Sequence, residues 1–226
     1  MSLTKIQKEL LLEKLTSFIS DNKNQLFDQI IQNRTRYLTL VLEDIYQAQN
    51  ASAVLRTADC FGIQDVHIIE NRNEYTINPD VALGASKWLS IYRYNEMENN
   101  TIRVIQKLKA DGYKIVATMP HKGDVLLPDM DMNQKTALFF GTELKGLSSV
   151  VQEHADIFIK IPMYGFTESY NISVSAALCL QELSKKMRLG NIDWSLSESE
   201  RLDVKLNWAR ATVRESERVE KTMFGI

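Results

Sequence analysis

The sequence predicts an α/β fold with a mostly parallel sheet and helices on both of its faces. Short apolar runs alternate with helical segments from residue 37 to residue 187, which is the pattern of parallel strands joined by crossover helices. Helical patterns alone occupy both ends of the chain, and a length of 226 residues allows one domain with appendages. The expected divisions are a helical extension, a central sheet domain and a second helical extension, at residues 1–35, 36–188 and 189–226.

The individual elements follow from the hydrophobic pattern. Short runs rich in aliphatic residues predict buried strands at residues 37–42, 66–69, 89–94, 113–118, 136–140 and 157–161. Apolar residues at helical spacing predict two helices within 3–32 and further helices at 51–61, 100–110, 148–155, 171–187 and 197–222. Gly62 is the expected C-cap of the helix at 51–61. Residues 172–183 are apolar or small on nearly every side, so we expect them to be buried in a core or at a subunit interface.

Composition excludes several classes of protein. The net charge of −2, from 27 Lys+Arg against 29 Asp+Glu, argues against general nucleic-acid coating but leaves room for a local basic face. Two cysteines, Cys60 and Cys179, exclude a disulfide scaffold, and both are expected to be buried in helices. No apolar run approaches the roughly 18–20 residues that span a membrane, and the N-terminus lacks signal-peptide features. A soluble cytoplasmic protein with no membrane partner is therefore predicted.

Familiar cofactor and metal motifs are absent from the sequence. No Gly-x-Gly occurs, which removes the dinucleotide fingerprint and the phosphate-binding loop of nucleotide triphosphatases. No His-Glu-x-x-His and no Gly-x-Ser-x-Gly occurs either. The histidines, His67, His121 and His154, are scattered and lack the spacing of metal ligands, so no metal site is predicted.

Three segments that follow predicted strands carry polar residues suited to chemistry, at the position where open α/β sheets bind ligands. The first begins at Gln49 and places Asn50 at a helix N-cap, with Arg56 inside the helix. Its alternative interpretation is structural: Asn50 only caps the helix, and Arg56 pairs with a surface carboxylate.

In the second segment, Gly141 and Gly146 bracket Glu143 directly after a buried strand. A glycine at position 141 lets backbone approach a ligand closely, and Ser148 is a suitable cap for the next helix. An ordinary joint between a strand and a helix is an equally good interpretation of this segment alone.

The third segment has Pro162 directly after a strand and then a Ser-x-Asn-x-Ser cluster that opens an apolar helix. The cluster comprises Ser169, Asn171 and Ser173, whose small polar groups face free amides at the helix start. Capping needs only one of them, so redundant capping explains the cluster poorly.

Together and in this order, the segments resemble the SpoU/TrmH family of RNA ribose 2′-O-methyltransferases, in the SPOUT superfamily. The family pattern is Asn…Arg…Ala-Asp…Gly, then Gly-x-Glu-x-x-Gly-Leu, then Ile-Pro-Met…Ser-x-Asn-x-Ser, and the chain carries it between residues 50 and 175. Residues 84–88 match a further Gly…Trp stretch. The chain departs at Gln49, where His is common, and at Tyr170, where Leu is usual.

The resemblance implies a fold, a reaction and partners. The family sheet is tied in a trefoil knot, expected here at roughly residues 136–188, and the family forms homodimers, with a shared active site expected here. The implied cofactor is S-adenosylmethionine (AdoMet), converted to S-adenosylhomocysteine with no metal required. The helical extensions look like the tRNA-modifying branch, whose usual target is the D-loop guanosine at position 18. A ribosomal RNA methyltransferase and a non-catalytic RNA-binding protein of this fold are the alternatives.

The resemblance also assigns roles to residues. The implied catalytic residues are Asn50, Arg56, Glu143, Ser169 and Asn171. The implied cofactor-binding residues are Thr118, Gly141, Ile161, Met163, Tyr170 and Ser173. Arg56 is either a strongly perturbed base or a charged group that stabilises the developing alkoxide; we favour the second, because a guanidinium stays protonated.

Basic residues are candidates for RNA binding. Arg210, Arg214 and Arg218 follow each other at intervals of four and are expected to form one stripe on the last helix. The alternative is a solvated face paired with the nearby glutamates 215, 217 and 220. The other candidates are Lys87, Lys185, Lys186 and Arg188.

Overall fold

The computed structural model describes residues 3–76, 78–120 and 124–225, apart from the side chains of Pro79 and Asp80. The strands are β1 (Leu38–Glu43), β2 (Asp65–Ile69), β3 (Ser90–Tyr94), β4 (Lys114–Thr118), β5 (Val125–Leu126), β6 (Thr136–Phe140) and β7 (Ile157–Lys160). The helices are α1 (Lys5–Thr16), α2 (Asp21–Ile31), α3 (Ala48–Cys60), α4 (Pro79–Ala82), α5 (Asn100–Ala110), α6 (Ser149–His154), α7 (Ile172–Leu189), α8 (Glu198–Thr212) and α9 (Ser216–Phe224). The chain divides into two compact units, one spanning Arg36–Trp194 and the other formed by the residues before and after it.

The larger unit is built on a parallel sheet with the strand order β3-β2-β1-β6-β4-β7-β5. Every pairing between these strands is parallel, which confirms the predicted α/β class. The central strands β1 and β6 are buried along their whole length, as expected where helices cover both faces of a sheet.

Alternate residues of the strands supply two separate cores, one on each face of the sheet. Leu40 packs with Leu55 of α3 and Leu180 of α7. Its neighbour Val41 points the other way and belongs to a cluster with Leu108 of α5. Helices therefore lie on both faces, as predicted.

The structure adds elements that the hydrophobic pattern did not predict. They are the two-residue edge strand β5, the short helix α4 and the 3₁₀ turns at Ala85–Lys87 and Leu127–Asp129. All are shorter than the five or so residues over which a hydrophobic period can be recognised.

Helix α3 ends one residue earlier than expected, with Phe61 as its C-cap, and Gly62 follows it with a left-handed φ of 75°. The expected burial of both cysteines is wrong for Cys60, which is exposed, whereas Cys179 is buried in α7. Cys60 lies two residues after the buried Ala58. A separation of two residues is about 200° around a helix, so the thiol faces away from the core.

The smaller unit packs α1, α2, α8 and α9. Trp208 of α8 is buried against the ring of Phe27, with ring centroids 5.4 Å apart, and beneath the guanidinium of Arg34. Ion pairs Lys8–Asp203 and Lys205–Asp28, at 2.6 and 2.5 Å, join the terminal helices at the surface. A largely apolar contact with a charged margin thus holds the N-terminal and C-terminal helices together.

The prediction of one helix over 197–222 is wrong, because the chain breaks between α8 and α9. Val213 is extended and Glu215 adopts a left-handed conformation with φ of 58°. The break is stabilised locally: Ser216 Oγ donates to the carbonyl of Arg210, and the Arg210 guanidinium binds both oxygens of Glu220. The β-branched pair at 212–213 is also a weak helix former.

None of the helices that the structure describes is both long and apolar enough to cross a membrane. His67 is buried in β2, with its Nδ1 3.0 Å from the hydroxyl of Tyr94, and His154 ends α6. His121 lies outside the described residues. Across the described part of the chain, no three His, Cys, Asp or Glu side chains are grouped as metal ligands.

Candidate active site

Loops that follow β1, β6 and β7 reach the same edge of the sheet. The carboxyl ends of parallel strands lie at the same edge of the sheet. Strand β1 is hydrogen-bonded to β6, and β4 separates β6 from β7. The three polar segments singled out in the sequence therefore converge at the edge where open α/β sheets bind ligands.

Three of the predicted catalytic side chains form one hydrogen-bonded cluster. Asn50 Nδ2 and Asn171 Nδ2 donate to the same oxygen of Glu143, at 2.9 and 2.6 Å. Asn171 Nδ2 also lies 3.1 Å from Asn50 Oδ1, which links the two amides directly. We call Asn50, Glu143 and Asn171 the amide–carboxylate cluster.

Asn50 is not the N-cap of its helix, so that expectation is wrong. Helix α3 begins two residues earlier, with Gln47 in the cap position, and Asn50 lies in the first turn. Its side-chain amide donates to Gln47 Oε1 at 2.9 Å and to Glu143 instead of capping the helix. The Asn50 side chain thus contacts Glu143, which follows a different strand at the same edge of the sheet.

The Ser-x-Asn-x-Ser segment divides its tasks among its members. Asn171 caps α7, since its Oδ1 accepts from Ser173 N at 2.9 Å, and Ser173 Oγ donates to the same oxygen at 2.5 Å. Ser169 is exposed and has no hydrogen bond with any residue that the structure describes. One member caps the helix, one hydrogen-bonds to the cap, and one is exposed to solvent.

The loop that carries Glu143 folds tightly back on itself. Thr142 and Gly146 exchange two backbone hydrogen bonds of 3.1 and 2.9 Å. A Cβ at Gly141 would lie 2.2 Å from the carbonyl carbon and oxygen of Gly146, so no side chain fits there. The glycine at position 141 was predicted to let backbone approach a ligand; in this structure it lets the backbone of Gly146 approach instead.

Comparisons with known proteins identify the family of this chain. The model of the SpoU rRNA Methylase family matches residues 37–181. The chain belongs to the SpoU methylase family.

A curated relative from Borreliella burgdorferi, named tRNA (guanosine(18)-2′-O)-methyltransferase, is 45% identical over 206 residues, which cover 91% of this chain and 93% of the relative. The crystal structure of the Aquifex aeolicus TrmH/SpoU tRNA modifying enzyme superposes with a TM-score of 0.77 at 28% identity, covering 86% of this chain and 98% of that one. An AdoMet-bound rRNA methyltransferase from Sinorhizobium meliloti shares the fold, with a TM-score of 0.59 at 24% identity over 73% of this chain and 61% of that one.

In this SpoU family member, the residues expected to bind the cofactor lie around the carboxyl ends of β4, β6 and β7 and the start of α7. They are Thr118, Gly141, Ile161, Met163, Tyr170 and Ser173. Thr118 Oγ1 donates to the carbonyl of Phe139 at 2.8 Å, and Tyr170 OH donates to that of Pro162 at 3.3 Å. The second bond joins the two ends of the loop between β7 and α7.

Arg56 does not join the amide–carboxylate cluster. It follows Asn50 by six residues, which on a helix is about 9 Å along the axis and about 120° around it. Its side chain is exposed and has no ion-pair or hydrogen-bond partner within the described ranges. The ion pair with a surface carboxylate that the structural interpretation predicted is therefore not seen among the described residues.

The arginines of the C-terminal region do not form one stripe, because the break divides them between two helices. Arg210 pairs with Glu220 at 2.7 Å and Arg218 with Glu215 at 3.3 Å, as the alternative interpretation predicted, whereas Arg214 is exposed within the break. An RNA-binding role for these three residues stays a prediction.

The remaining basic candidates differ in their exposure and in their contacts with the rest of the chain. Lys87 and Lys185 are exposed. Lys186 donates to the carbonyls of Pro128 and Met130. Arg188 lies 4.5 Å from the ring centre of Trp194 and donates to the carbonyl of Phe61, and burial lowers the pKa of its guanidinium.

Sequence reasoning missed two residues beside the cluster, Gln47 and Glu43. Gln47 accepts a hydrogen bond from Asn50, and no sequence signal marks it. Glu43 ends the apolar strand β1 and is nevertheless buried. The sequence signal that could have identified Glu43 is a charged residue directly after an apolar run. A carboxylate that is buried at the end of a strand needs hydrogen-bond partners, so its presence there indicates a specific contact.

Proposed function

We propose that this chain is an AdoMet-dependent tRNA (guanosine(18)-2′-O)-methyltransferase. The observation that carries the proposal is the amide–carboxylate cluster, in which the three motifs of a ribose methyltransferase contribute one side chain each. The similarity to the Borreliella burgdorferi enzyme, which spans nearly the whole of both chains, supports tRNA as the substrate.

The loop between β7 and α7 fits AdoMet through its backbone. Met163–Thr167 makes no backbone–backbone hydrogen bond with the described part of the chain, so its amides and carbonyls are available to a ligand. Such groups recognise an adenine edge without a glycine-rich fingerprint. Gly141, Thr118, Ile161, Tyr170 and Ser173 complete the proposed binding residues, and no metal takes part in the proposal.

AdoMet supplies a methyl group on a sulfonium, a leaving group that is already activated. The ribose 2′-oxygen bonds to the methyl carbon, the carbon–sulfur bond breaks with its electrons going to sulfur, and S-adenosylhomocysteine is released. What the chain must supply is alignment of the 2′-hydroxyl and removal of its proton. Arg56, as a permanent cation, stabilises the developing alkoxide while water or an RNA phosphate takes the proton.

The cluster and its neighbours would position the substrate. Asn50 holds the first segment and the ribose, Glu143 and Asn171 organise the pocket, and Ser169 contacts the ribose or Arg56. Ser169 suits this role because its hydroxyl is exposed and not engaged by the described chain. A hydroxyl can both donate and accept, as contact with a ribose requires.

A homodimer with a shared site completes the proposal. Arg56 is outside the cluster of its own chain, which favours delivery of this residue to the site of a second copy. Val174 and Leu178, one helical turn apart on α7, remain 44% and 38% exposed and are suited to an interface. The proposed topology includes a trefoil knot within residues 136–188, and the proposed catalytic domain spans 36–188.

Folded RNA is bound by shape more than by charge in this proposal, because the chain has a net charge of −2. Lys87, Lys185 and Arg214 are the RNA-binding candidates that are exposed and form no ion pair with the described residues, so we propose them as phosphate contacts. The proposed location is the cytoplasm, where tRNA is modified.

Methyl transfer from labelled AdoMet to unmodified tRNA and to ribosomal RNA, assayed in parallel with the product ribose mapped, tests the function. Label at the D-loop guanosine is expected. Label only on ribosomal RNA would show that ribosomal RNA, and not tRNA, is the substrate. We include this RNA because the family is described as rRNA methylases. Binding of AdoMet without transfer to either RNA would contradict both substrates, and absence of binding would favour a non-catalytic RNA-binding protein.

A further inference from the structure

A buried carboxylate lies beside the candidate site and outside the motifs. Glu43, the last residue of β1, is 3% exposed. Its Oε1 accepts from the hydroxyls of Thr101 and Ser148, both at 2.7 Å, and its Oε2 accepts from Ser148 N at 2.8 Å. No Lys or Arg side chain among the described residues forms an ion pair with it. Neutral donors from α5 and from the start of α6 therefore stabilise its buried position.

The contact with Ser148 anchors the end of the loop that carries Glu143. Ser148 is the N-cap of α6 and directly follows the buried Leu147. The start of the loop is held by the fold of Gly141 onto Gly146. Glu143 lies between these two restraints, so its distance to the side chains of the cluster depends on both.

We propose that Glu43 is a positioning residue for methyl transfer: its carboxylate holds the Gly141–Ser148 loop so that Glu143 stays within hydrogen-bond distance of Asn50 and Asn171. This inference rests on the proposed function. Glu43 touches none of the cluster residues, so it acts through the loop and is not catalytic.

The chemistry of the contact predicts which substitutions are tolerated. Glutamine can turn its carbonyl oxygen to Ser148 N and its amide to the two hydroxyls, which then accept instead of donating. Alanine leaves the donors of Ser148 and Thr101 unsatisfied and opens a cavity. Glu43→Gln is therefore expected to retain the loop position and Glu43→Ala to lose it.

Thr101→Val is the matched control. It removes one of the three hydrogen bonds to the same carboxylate, along with the bond from Asn71 Nδ2 to Thr101, but leaves both contacts with Ser148 in place. It is expected to lower stability without changing turnover, because the Glu143 loop stays anchored.

Steady-state methyl transfer to tRNA and hydrogen exchange of residues 141–148 test the inference on the full chain. Glu43→Ala is expected to lower kcat by about tenfold with little change in KM, while Glu43→Gln stays within about threefold of wild type. Exchange in the loop should accelerate in Glu43→Ala and not in Thr101→Val. Glu43→Ala with Glu143→Ala should be no slower than Glu143→Ala alone, because both changes remove one function.

Two results would overturn the role of Glu43 in an active enzyme: unchanged kcat in Glu43→Ala, or additive losses in the double variant. If Glu43→Ala does not fold, Ser148→Ala replaces it, since it removes one of the two anchoring bonds; unchanged loop exchange and unchanged kcat there would contradict the inference. An inactive wild type, in contrast, would refute the proposed function itself.

Discussion

Asn171 uses both ends of its side-chain amide in the candidate site. The oxygen caps α7 through Ser173, and the nitrogen donates to Glu143 and Asn50. The residue that begins the helix thereby also orients the cluster. Asn171 therefore both caps the helix and contacts the cluster. These two roles explain why the start of α7 carries more polar residues than capping alone requires.

Replacement of Arg56 by alanine tests the charge-stabilising role. We expect Arg56→Ala to lower kcat on the order of 100-fold, because a preorganised positive charge beside the developing alkoxide is lost. AdoMet affinity, measured by calorimetry, should stay nearly unchanged, since Arg56 lies outside the residues proposed to bind it. Arg72→Ala, which removes another exposed guanidinium, is the control. Equal losses of AdoMet binding and transfer in Arg56→Ala would refute the assignment.

His67 makes the fold sensitive to mild acid. Burial, followed by the charge of Lys107, lowers the pKa of its imidazole from 6.5 to about 4. The unfolded chain therefore binds a proton between pH 6.5 and 4 that the folded chain does not, so stability is full above pH 6.5 and falls as the pH drops through this window.

Denaturant unfolding at two pH values measures this effect. Between pH 7.5 and pH 5.0 the His67 contribution amounts to about 2 kcal/mol of the free energy of unfolding. His67→Phe keeps a ring stacked on Tyr92, whose centroid lies 5.0 Å away, and should lose that part of the pH dependence. An identical pH dependence in the variant would show that other groups cause it.

At the level of elements, the loop between β6 and α6 is the rigid part of the site. It is closed by the Thr142–Gly146 bridge and tied to the sheet through Glu43. The loop between β7 and α7 differs. The backbone amides and carbonyls of Met163–Thr167 form no backbone–backbone hydrogen bond with the described part of the chain, so they can bind solvent or a ligand. One loop is preorganised for the cluster, and the other is available for binding.

A methyl group at Gly141 should disrupt the rigid loop. Gly141→Ala is expected to lower the free energy of unfolding by about 1–3 kcal/mol and to reduce methyl transfer, because the Gly146 backbone must move away. Thermal unfolding and kcat are the measurements. Gly165→Ala is the matched control for thermal unfolding only, since a Cβ there meets no atom within 4 Å. It lies in the loop proposed to bind AdoMet, so wild type is the reference for kcat. A fully active Gly141→Ala would contradict the rigid-loop interpretation.

At the level of the whole molecule, the parallel order of the strands creates the site. Asn50 meets Glu143 from 93 residues away and Asn171 from 121 residues away, because the loops after β1, β6 and β7 open on one edge. Arg56 remains outside this meeting point in a single chain. The molecule that we propose to be active is therefore a pair of chains.

Mixing two impaired variants tests the shared site. Arg56→Ala and Asn171→Ala homodimers should each have little activity, on the order of one hundredth of wild type for Arg56→Ala. A heterodimer keeps one complete site if Arg56 serves the partner. Random exchange of subunits in an equal mixture should restore about a quarter of wild-type activity. The control is each variant taken alone through the same exchange procedure. If mixtures that contain verified heterodimers recover no activity, Arg56 serves the site of its own chain.

Much of the fold and part of the site could be predicted from the sequence. The strands β1, β6 and β7 and the helices α5 and α7 were recognisable because each repeats its hydrophobic period over several residues. The cap Ser148 and the helix start at the Ser-x-Asn-x-Ser cluster were recognisable because a cap depends on the next few residues only. Glu143, Asn50 and Asn171 were named together through the family motifs, whereas Glu43 and Gln47 carried no motif.

What the sequence by itself determined is local: the alternation of strands and helices, the starts of α6 and α7, and the order of the motifs. Tertiary structure decided that Asn50 turns from its own helix to Glu143, that Gly141 makes room for Gly146, and that the C-terminal helix breaks so that Glu220 reaches Arg210. The physical reason is that a hydrophobic period or a cap is specified within one or two turns of chain. A hydrogen bond between distant residues exists only after the packing of the sheet has brought its donor and acceptor together.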